Sequence, residues 1–285
     1  MRCRLLYMLN DNECIVVITR NFVLGVVIFT NSFSNDPLVD IAQFYDLDLE
    51  GYMDDLLFYK QFVLDYPGSV LELGCGTGRV LEALSDLDIK LVGIDKSVSM
   101  LEIAKNRLAH IDVELHLAEF KNFQFEENFS IILIPLGGLQ HVVDLDDVVI
   151  IFKNIKQHLT KDGYLIIDIE NTGTELSIPG VQPLLEHWTR EYVSNDLTYQ
   201  VTKLVSVICD SIHSLRDITW HFDTQETGGY LRRISAQFQL RSFSLSELSL
   251  AAQMAGLKIE NVWGDYSYGV LCEESERMIL VLSCD

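Results

Sequence analysis

Hydrophobic and polar positions follow two different rhythms along this chain. Between residues 70 and 169, short apolar runs alternate with segments of helical period, and the runs are too uniformly apolar to keep one face in water. We interpret as strands the runs 70–73, 91–94, 115–118, 130–135 and 164–169, and as helices 79–85, 98–109 and 147–159. This order predicts an α/β fold, a doubly wound parallel sheet covered by helices on both faces.

The rhythm changes after Glu170. Residues 171–185 are typical of a loop, and 198–207, 214–222 and 230–240 alternate like strands of an antiparallel insertion. A helix over 245–255 has an N-cap and a capping-box partner in Ser244 and Glu247, and Gly256 follows its end. Two further strands, 258–263 and 278–282, are expected to close the main sheet as a hairpin.

The first 36 residues differ from the rest and are interpreted as an N-terminal extension, either β-rich or poorly ordered. Their apolar stretch, 14–29, is split by Arg20 and Asn21 into runs shorter than the roughly 18 residues of a spanning helix. We therefore expect no stable membrane insertion. A helix over 52–66, ended by Pro67 and Gly68, opens a main domain assigned to 37–285, with the insertion at about 171–241.

Charge and cysteine usage narrow the function. The chain has 42 acidic and 21 basic side chains, a net charge of -21, which disfavours nucleic-acid binding because that affinity comes largely from Lys and Arg at phosphates. The 48% of hydrophobic residues is enough for a folded core. The 6 cysteines form no C-x-x-C pair, so we expect reduced thiols, a cytoplasmic location and no metal site.

The sharpest motif is Glu72-Leu73-Gly74-Cys75-Gly76-Thr77-Gly78-Arg79, in which a strand enters a glycine-rich turn that opens a helix. Backbone N–H groups at such a turn face a ligand closely, which indicates a cofactor loop. A nicotinamide oxidoreductase is disfavoured because Arg79 stands where the dinucleotide fingerprint has its last glycine. Asp95 ends the next strand, where an acid accepts hydrogen bonds from a ribose diol or, alternatively, stabilises a helix N-terminus.

Together these features resemble the class I S-adenosylmethionine-dependent methyltransferases over about residues 41–285. The resemblance implies a Rossmann-like sheet of order 3-2-1-4-5-7-6 with strand 7 antiparallel, S-adenosyl-L-methionine as cofactor, and an insertion that covers the substrate. It places Asp95 on the ribose, Glu119 and Phe120 beside the adenine, and Tyr45 over the cofactor. The implied cofactor-binding set is Tyr45, Glu72, Gly74, Cys75, Gly76, Thr77, Gly78, Arg79, Asp95, Glu119, Phe120 and Leu136.

The resemblance implies methyl transfer by in-line displacement to a small molecule, through an amine or a hydroxyl group. His141, just after the fourth strand, is the candidate catalytic base, with substrate orientation or helix capping as alternatives. Asp168 and Glu170 are either substrate contacts or solvated strand-end acids, and Trp220 and His221 either face the substrate or belong to a half-buried sheet. Two other functions stay open, a non-catalytic S-adenosylmethionine-binding protein and a methyltransferase acting on a protein.

Overall fold

The computed structural model describes residues 6–10, 13–20, 23–30, 36, 38–171, 180–181, 183–194, 197–226 and 229–285. The first three strands are β1 (Leu6–Asn10), β2 (Glu13–Arg20) and β3 (Val23–Thr30), and they form an antiparallel sheet of their own. The predicted β-rich extension coincides with this sheet. Its boundary at residue 36 stays a prediction.

Seven strands form the central sheet, in the order β14-β15-β8-β7-β4-β5-β6. In chain order these are β4 (Val70–Leu73), β5 (Leu91–Asp95), β6 (Val113–Leu117), β7 (Phe129–Ile134), β8 (Leu159–Glu170), β14 (Leu257–Trp263) and β15 (Arg277–Cys284). Counted within the sheet from the β6 edge, the order is 3-2-1-4-5-7-6, and β15 runs antiparallel to both neighbours. The predicted doubly wound topology is confirmed.

Helices cover both faces of this sheet, as the apolar runs predict. They are α1 (Ala42–Asp48), α2 (Asp54–Asp65), α3 (Arg79–Leu84), α4 (Val98–Arg107), α5 (Leu145–His158) and α6 (Leu245–Ala255). One face packs against Phe152 and Leu248 of α5 and α6, and the other against Phe62 and Leu81 of α2 and α3. The predicted capping box of α6 is present, with Ser244 and Glu247 as its partners.

The insertion forms a second, antiparallel sheet. It contains β9 (Gly180–Val181), β10 (Leu185–Ser194), β11 (Leu197–Asp210), β12 (Leu215–Glu226) and β13 (Leu231–Arg241). Strand β10 was not predicted, because most of its residues are exposed and polar and its apolar alternation is weak. Of the predicted loop 171–185, residues 172–179 lie outside the described residues, and β9 and the start of β10 fall in its second half.

Helix α1 joins the insertion to the main domain. Its Phe44 ring stacks on Phe222 of β12 with centroids 5.3 Å apart and meets Tyr192 of β10 edge-on at 5.2 Å. Ile41 and Phe44 share one buried cluster with Val201 and Phe222. The insertion is therefore anchored over the carboxyl ends of the parallel strands. No helix in the described part of the chain is long and apolar enough to span a membrane.

Candidate functional site

A cavity of about 610 Å³ lies at the carboxyl ends of β4, β5 and β7, below the insertion. Open α/β sheets bind ligands at this edge, where the strand order reverses beside the first strand. The predicted site residues that line the cavity are Tyr45, Glu72, Gly74, Cys75, Gly76, Thr77, Arg79, Asp95, Glu119, Phe120, Leu136 and His141. Gly78 is not among the lining residues.

Gly76 and Gly78 have different roles in the glycine-rich loop. Gly76 has φ 53°, and a Cβ there would have no heavy atom within 4 Å, so its missing side chain leaves the cavity open for a ligand. Gly78 has φ 81°, and its Cβ would lie 2.8 Å from Leu108 Cδ1 and 3.3 Å from Ala104 Cβ. Gly78 therefore stabilises the loop: because it has no side chain, α3 can start close to α4.

Glu72 is a buried acid that faces the cavity. It is 2% exposed, and its Oε2 has no hydrogen-bond partner among the described residues. Burial raises its pKa well above the usual value, and Arg79 only partly offsets that effect. An orphaned buried oxygen is costly unless a ligand donor satisfies it. Glu72 therefore fits a cofactor that brings an N–H or O–H donor to this end of the cavity.

Two backbone N–H groups hold the carboxylate of Asp95. Its Oδ2 accepts a hydrogen bond from Gly76 N at 2.9 Å and its Oδ1 one from Ser97 N at 2.8 Å, while burial raises its pKa. Ser97 caps α4 with its own side chain, which accepts from Met100 N at 3.1 Å. Helix capping is thus carried by Ser97, and the carboxylate of Asp95 retains free lone pairs toward the cavity. Its ribose role stays a prediction.

The side chains of Thr77 and Arg79 are already engaged within the protein. Thr77 Oγ1 donates to Asp46 Oδ1 at 2.7 Å and accepts from Arg107 Nη1 at 2.9 Å. The Arg79 guanidinium forms a two-point ion pair with the fully buried carboxylate of Asp55. Any contact of these two residues with a ligand must then be made chiefly by backbone groups.

Two further predicted residues, Phe120 and Leu136, are held in place by their neighbours. The Phe120 ring lies against Gly74, where a Cβ would come within 3.1 Å of its Cζ, and Glu119 beside it is exposed. Leu136 has φ 46°, an uncommon backbone for a residue with a side chain. Its N–H donates to Asp168 Oδ2 at 3.2 Å, and Gly137 N donates to Asp168 O at 2.8 Å.

Asp168 is therefore a support of the cavity wall. The hypothesis of a solvated strand-end acid is wrong, because Asp168 is 0% exposed and is absent from the lining. Its Oδ2 accepts hydrogen bonds from the hydroxyls of Tyr59 and Tyr266, each at 2.8 Å, and its Oδ1 pairs with Arg277. This carboxylate holds the Leu136 turn in place from behind.

The insertion closes the other end of the cavity with aromatic rings. Trp220 meets Phe238 edge-on at 4.7 Å, and His141 lies 5.6 Å from Phe238. Part of the His141 side chain is exposed in the cavity. The surrounding protein buries the ring, and this burial, together with the positive charge of Lys96, lowers the pKa of His141 to about 4. It is neutral at physiological pH. His221, which follows Trp220, points to the opposite face and bonds Ser235 Oγ at 2.7 Å.

Sequence reasoning missed several supporting residues. Gln140 is 0% exposed; its Oε1 accepts from Glu170 N at 3.0 Å, and its Nε2 donates to Arg241 O at 3.3 Å. Asp46 joins α1 to the glycine loop through Thr77 and Arg107. No local pattern marks such residues, since their partners are distant in sequence. Within the described part of the chain, no group of three His, Cys, Asp or Glu side chains is placed to hold a metal.

Comparisons with known proteins agree with this geometry. Residues 70–163 match a family model described as a methyltransferase domain. The cypemycin N-terminal methyltransferase of a Streptomyces species is 23% identical over 216 residues, 75% of this chain and 82% of that protein. A dTDP-3-amino-3,4,6-trideoxy-alpha-D-glucopyranose N,N-dimethyltransferase of Streptomyces venezuelae is 24% identical over 79% of this chain and 93% of its own length.

Among solved structures, an S-adenosylmethionine-dependent methyltransferase from Clostridium acetobutylicum superposes with a TM-score of 0.69 at 19% identity, covering 86% of this chain and 98% of that one. The sheet order and this superposition thus give the chain the fold of the class I S-adenosylmethionine-dependent methyltransferases. Residues 70–163 match a methyltransferase domain, and solved structures of the same fold are described as S-adenosylmethionine-dependent or as having S-adenosylmethionine bound.

Proposed function

We propose that this chain transfers a methyl group from S-adenosyl-L-methionine to a small-molecule amine. The observation that carries the proposal is one continuous cavity with two unlike ends. The glycine loop, Glu72 and Asp95 line one end, and Trp220, Phe238 and His141 line the other. A cofactor and a small acceptor can therefore meet in one cavity that residues of the insertion help to line.

The residues at the glycine-loop end of the cavity fit S-adenosyl-L-methionine. Open space above Gly76 admits close approach of a ligand to the backbone, and the orphaned Oε2 of Glu72 offers an acceptor to the cofactor's ammonium group. Asp95 offers a carboxylate to a ribose diol. When bound, S-adenosyl-L-methionine supplies a methyl group that moves to the acceptor nitrogen, forming an N–C bond, while the electrons of the broken C–S bond stay on sulfur and one amine proton goes to cavity water.

The chain's own residues have to align the acceptor and keep it uncharged when it reacts. His141 is unprotonated at physiological pH, so its imidazole accepts a hydrogen bond from an acceptor N–H. Trp220 and Phe238 form an apolar wall at the same end. This arrangement favours an amine acceptor over a hydroxyl acceptor. A hydroxyl needs a stronger base than an imidazole whose pKa is about 4.

The relatives support an amine acceptor. One is named for methylation of a peptide N-terminus and another for methylation of an amino sugar, and both align over most of their own length. Both names point to an acceptor nitrogen, and the two acceptors are otherwise unlike. We therefore propose a nitrogen acceptor for this chain and not the particular acceptor of either relative.

Calorimetric titration with S-adenosylhomocysteine tests the cofactor end. The wild type should bind it and give no heat with NAD, and Asp95→Ala should bind at least about 10-fold more weakly, since a hydrogen-bonded carboxylate is lost. Asp112→Ala, on the exposed loop before β6, is the matched control and should bind as the wild type does. Equal affinity of Asp95→Ala and wild type would refute the ribose assignment.

A labelled-methyl assay across amines, phenols, sugars and peptides then tests the acceptor. Transfer to small amines supports the proposal. Binding of S-adenosylhomocysteine without transfer to any acceptor would favour a non-catalytic cofactor-binding protein. Transfer only to folded proteins would favour a protein methyltransferase.

A further inference from the structure

The cavity lining contains more carboxyl groups than basic groups, and its basic groups are largely paired. Five carboxyl groups line it, from Glu72, Asp95, Glu119, Asp147 and Glu170, against three positive groups, from Arg79, Lys96 and Lys121. Arg79 pairs with Asp55, and Lys121 pairs with Asp147 at 2.9 Å. In the described part of that lining, only Lys96 lacks an ion pair.

Among the described residues of the insertion, the basic side chains near the acceptor end are already paired. Lys203, which lies 3.7 Å above the centre of the Trp220 ring, is bound to Asp48. Arg241 pairs with Glu247 at 2.8 Å. A phosphate group needs several unengaged N–H donors or cations around it, and these side chains already bind carboxylates.

Glu170 is the acid at this end whose position is best defined. Its Oε2 accepts a hydrogen bond at 2.8 Å from Nη2 of Arg216, which β12 of the insertion contributes, and its N–H donates to Gln140 Oε1 at 3.0 Å. The Arg216 side chain is 5% exposed and that of Glu170 is 48% exposed. The carboxylate is thus fixed on its buried side and presents its remaining lone pairs to the cavity.

The groups around Glu170 suit the ammonium form of an amine. His141 beside it carries no charge at physiological pH, so it does not repel a cation. Trp220 and Phe238 form an apolar wall at this end, and the Glu170 side chain beside it is 48% exposed and open to a cation. A diphosphate would find few available N–H donors here, because Arg216 and Lys121 are already bound to Glu170 and Asp147.

We propose that the acceptor is an amine that enters as a cation, that Glu170 receives its ammonium group, and that the acceptor carries no nucleotide diphosphate. The ammonium group loses one proton to cavity water before the nitrogen attacks, so the reacting amine is uncharged. This inference rests on the proposed function and narrows its substrate class. It separates this chain from the Streptomyces venezuelae relative, whose name specifies an acceptor linked to dTDP. Glu170 is then a specificity-determining residue, and Arg216 and Gln140 are positioning residues.

The full chain loaded with S-adenosylhomocysteine is titrated by calorimetry with matched probes. These are a free 3-amino-3-deoxy sugar, the same sugar linked to thymidine diphosphate, thymidine diphosphate alone, and a panel of simple primary amines. We expect binding of at least one uncoupled amine and, for the linked sugar, an affinity at least about 10-fold lower than for the free sugar. Tighter binding of the linked sugar, or binding of thymidine diphosphate alone, overturns the inference.

The same titrations separate this inference from the function on which it rests. If S-adenosylhomocysteine binds and no amine of the panel binds or accepts a methyl group, the amine inference fails while the cofactor assignment stands. If S-adenosylhomocysteine does not bind, the proposed function itself fails.

Three variants test Glu170 directly with the best amine of the panel. Glu170→Gln should weaken amine binding and raise KM by about 10- to 100-fold, with unchanged affinity for S-adenosylhomocysteine, because one charged partner is lost. Glu170→Asp keeps the charge and should restore most of the affinity. Glu102→Gln, which removes an exposed charge from α4, is the control and should have no effect. An unchanged amine affinity in Glu170→Gln contradicts the assignment.

Discussion

The carboxylate of Asp48 in helix α1 accepts a hydrogen bond from Nζ of Lys203 in strand β11, 155 residues away in sequence. The Lys203 side chain is only 4% exposed, and burial lowers its pKa. Two positions earlier, Asp46 binds Thr77 and Arg107 at the glycine loop. Helix α1 is thus tied to both ends of the cavity by neighbouring carboxylates.

Replacing Asp48 should destabilise the fold. Asp48→Asn leaves a buried ammonium group without its counter-charge, and we expect a loss of about 3 kcal/mol in the free energy of unfolding. Denaturant unfolding of Asp48→Asn and of Asp88→Asn, an exposed surface control, measures the difference. A double variant with Lys203→Met should recover part of the loss, because it removes the buried charge. Equal stability of Asp48→Asn and wild type would contradict this view of α1.

Gly76 and Gly78 form a matched pair for alanine substitution. Gly76→Ala puts a methyl group into the open cavity, so its affinity for S-adenosylhomocysteine should fall at least 10-fold with a stability loss of only about 1 to 2 kcal/mol from the positive φ. Gly78→Ala has the same backbone strain and also clashes with Leu108, so it should lose more stability than Gly76→Ala. Calorimetry and denaturant unfolding of both variants test this contrast. The reverse ranking in stability would be inconsistent with the loop geometry.

Asp168 should contribute to stability through its whole set of donors. Asp168→Asn leaves buried Arg277 without its negative partner, and a loss of about 3 to 5 kcal/mol is expected. Tyr266→Phe removes one hydrogen bond to the same carboxylate and should cost about 2 kcal/mol. Tyr268→Phe, whose residue is 44% exposed, is the control. If Tyr266→Phe and Tyr268→Phe unfold at the same denaturant concentration, the hydrogen bond to Asp168 has no net effect on stability.

The sequence predicted the core sheet and the position of the glycine-rich turn well for a physical reason. Each inner strand, such as Val70–Leu73, is buried on both faces, so its apolar run is continuous and unmistakable. Strand β10 was missed because it buries little more than parts of Trp188 and Tyr192. The Asp48–Lys203 pair could not be predicted from local sequence patterns, because the two side chains belong to different elements and meet only after the chain has folded. The solvated-acid hypothesis for Asp168 failed because Tyr59, Tyr266 and Arg277 reach it from elsewhere in the chain.

His141 should make the stability of the protein depend on pH in a defined direction. Its pKa is about 4 in the folded chain, lowered by the surrounding protein and then by Lys96, with Glu170 opposing, against about 6.5 when unfolded. Well above pH 6.5 both states are neutral, so His141 does not make stability depend on pH there. As the pH falls from about 6.5 toward 4, the unfolded chain binds a proton that the folded chain does not, and stability is lost.

The comparison of wild type with His141→Gln isolates this effect, because all other titrating groups are shared. The wild type should lose more thermal stability than the variant between about pH 7.5 and pH 5, and the two curves should run parallel above about pH 7. Thermal unfolding across this range measures the difference. A wild type that instead gains stability relative to the variant on acidification would mean that His141 is protonated in the folded chain. It could then not accept a hydrogen bond from the amine, and the acceptor end would have to be assigned to a different class of ligand.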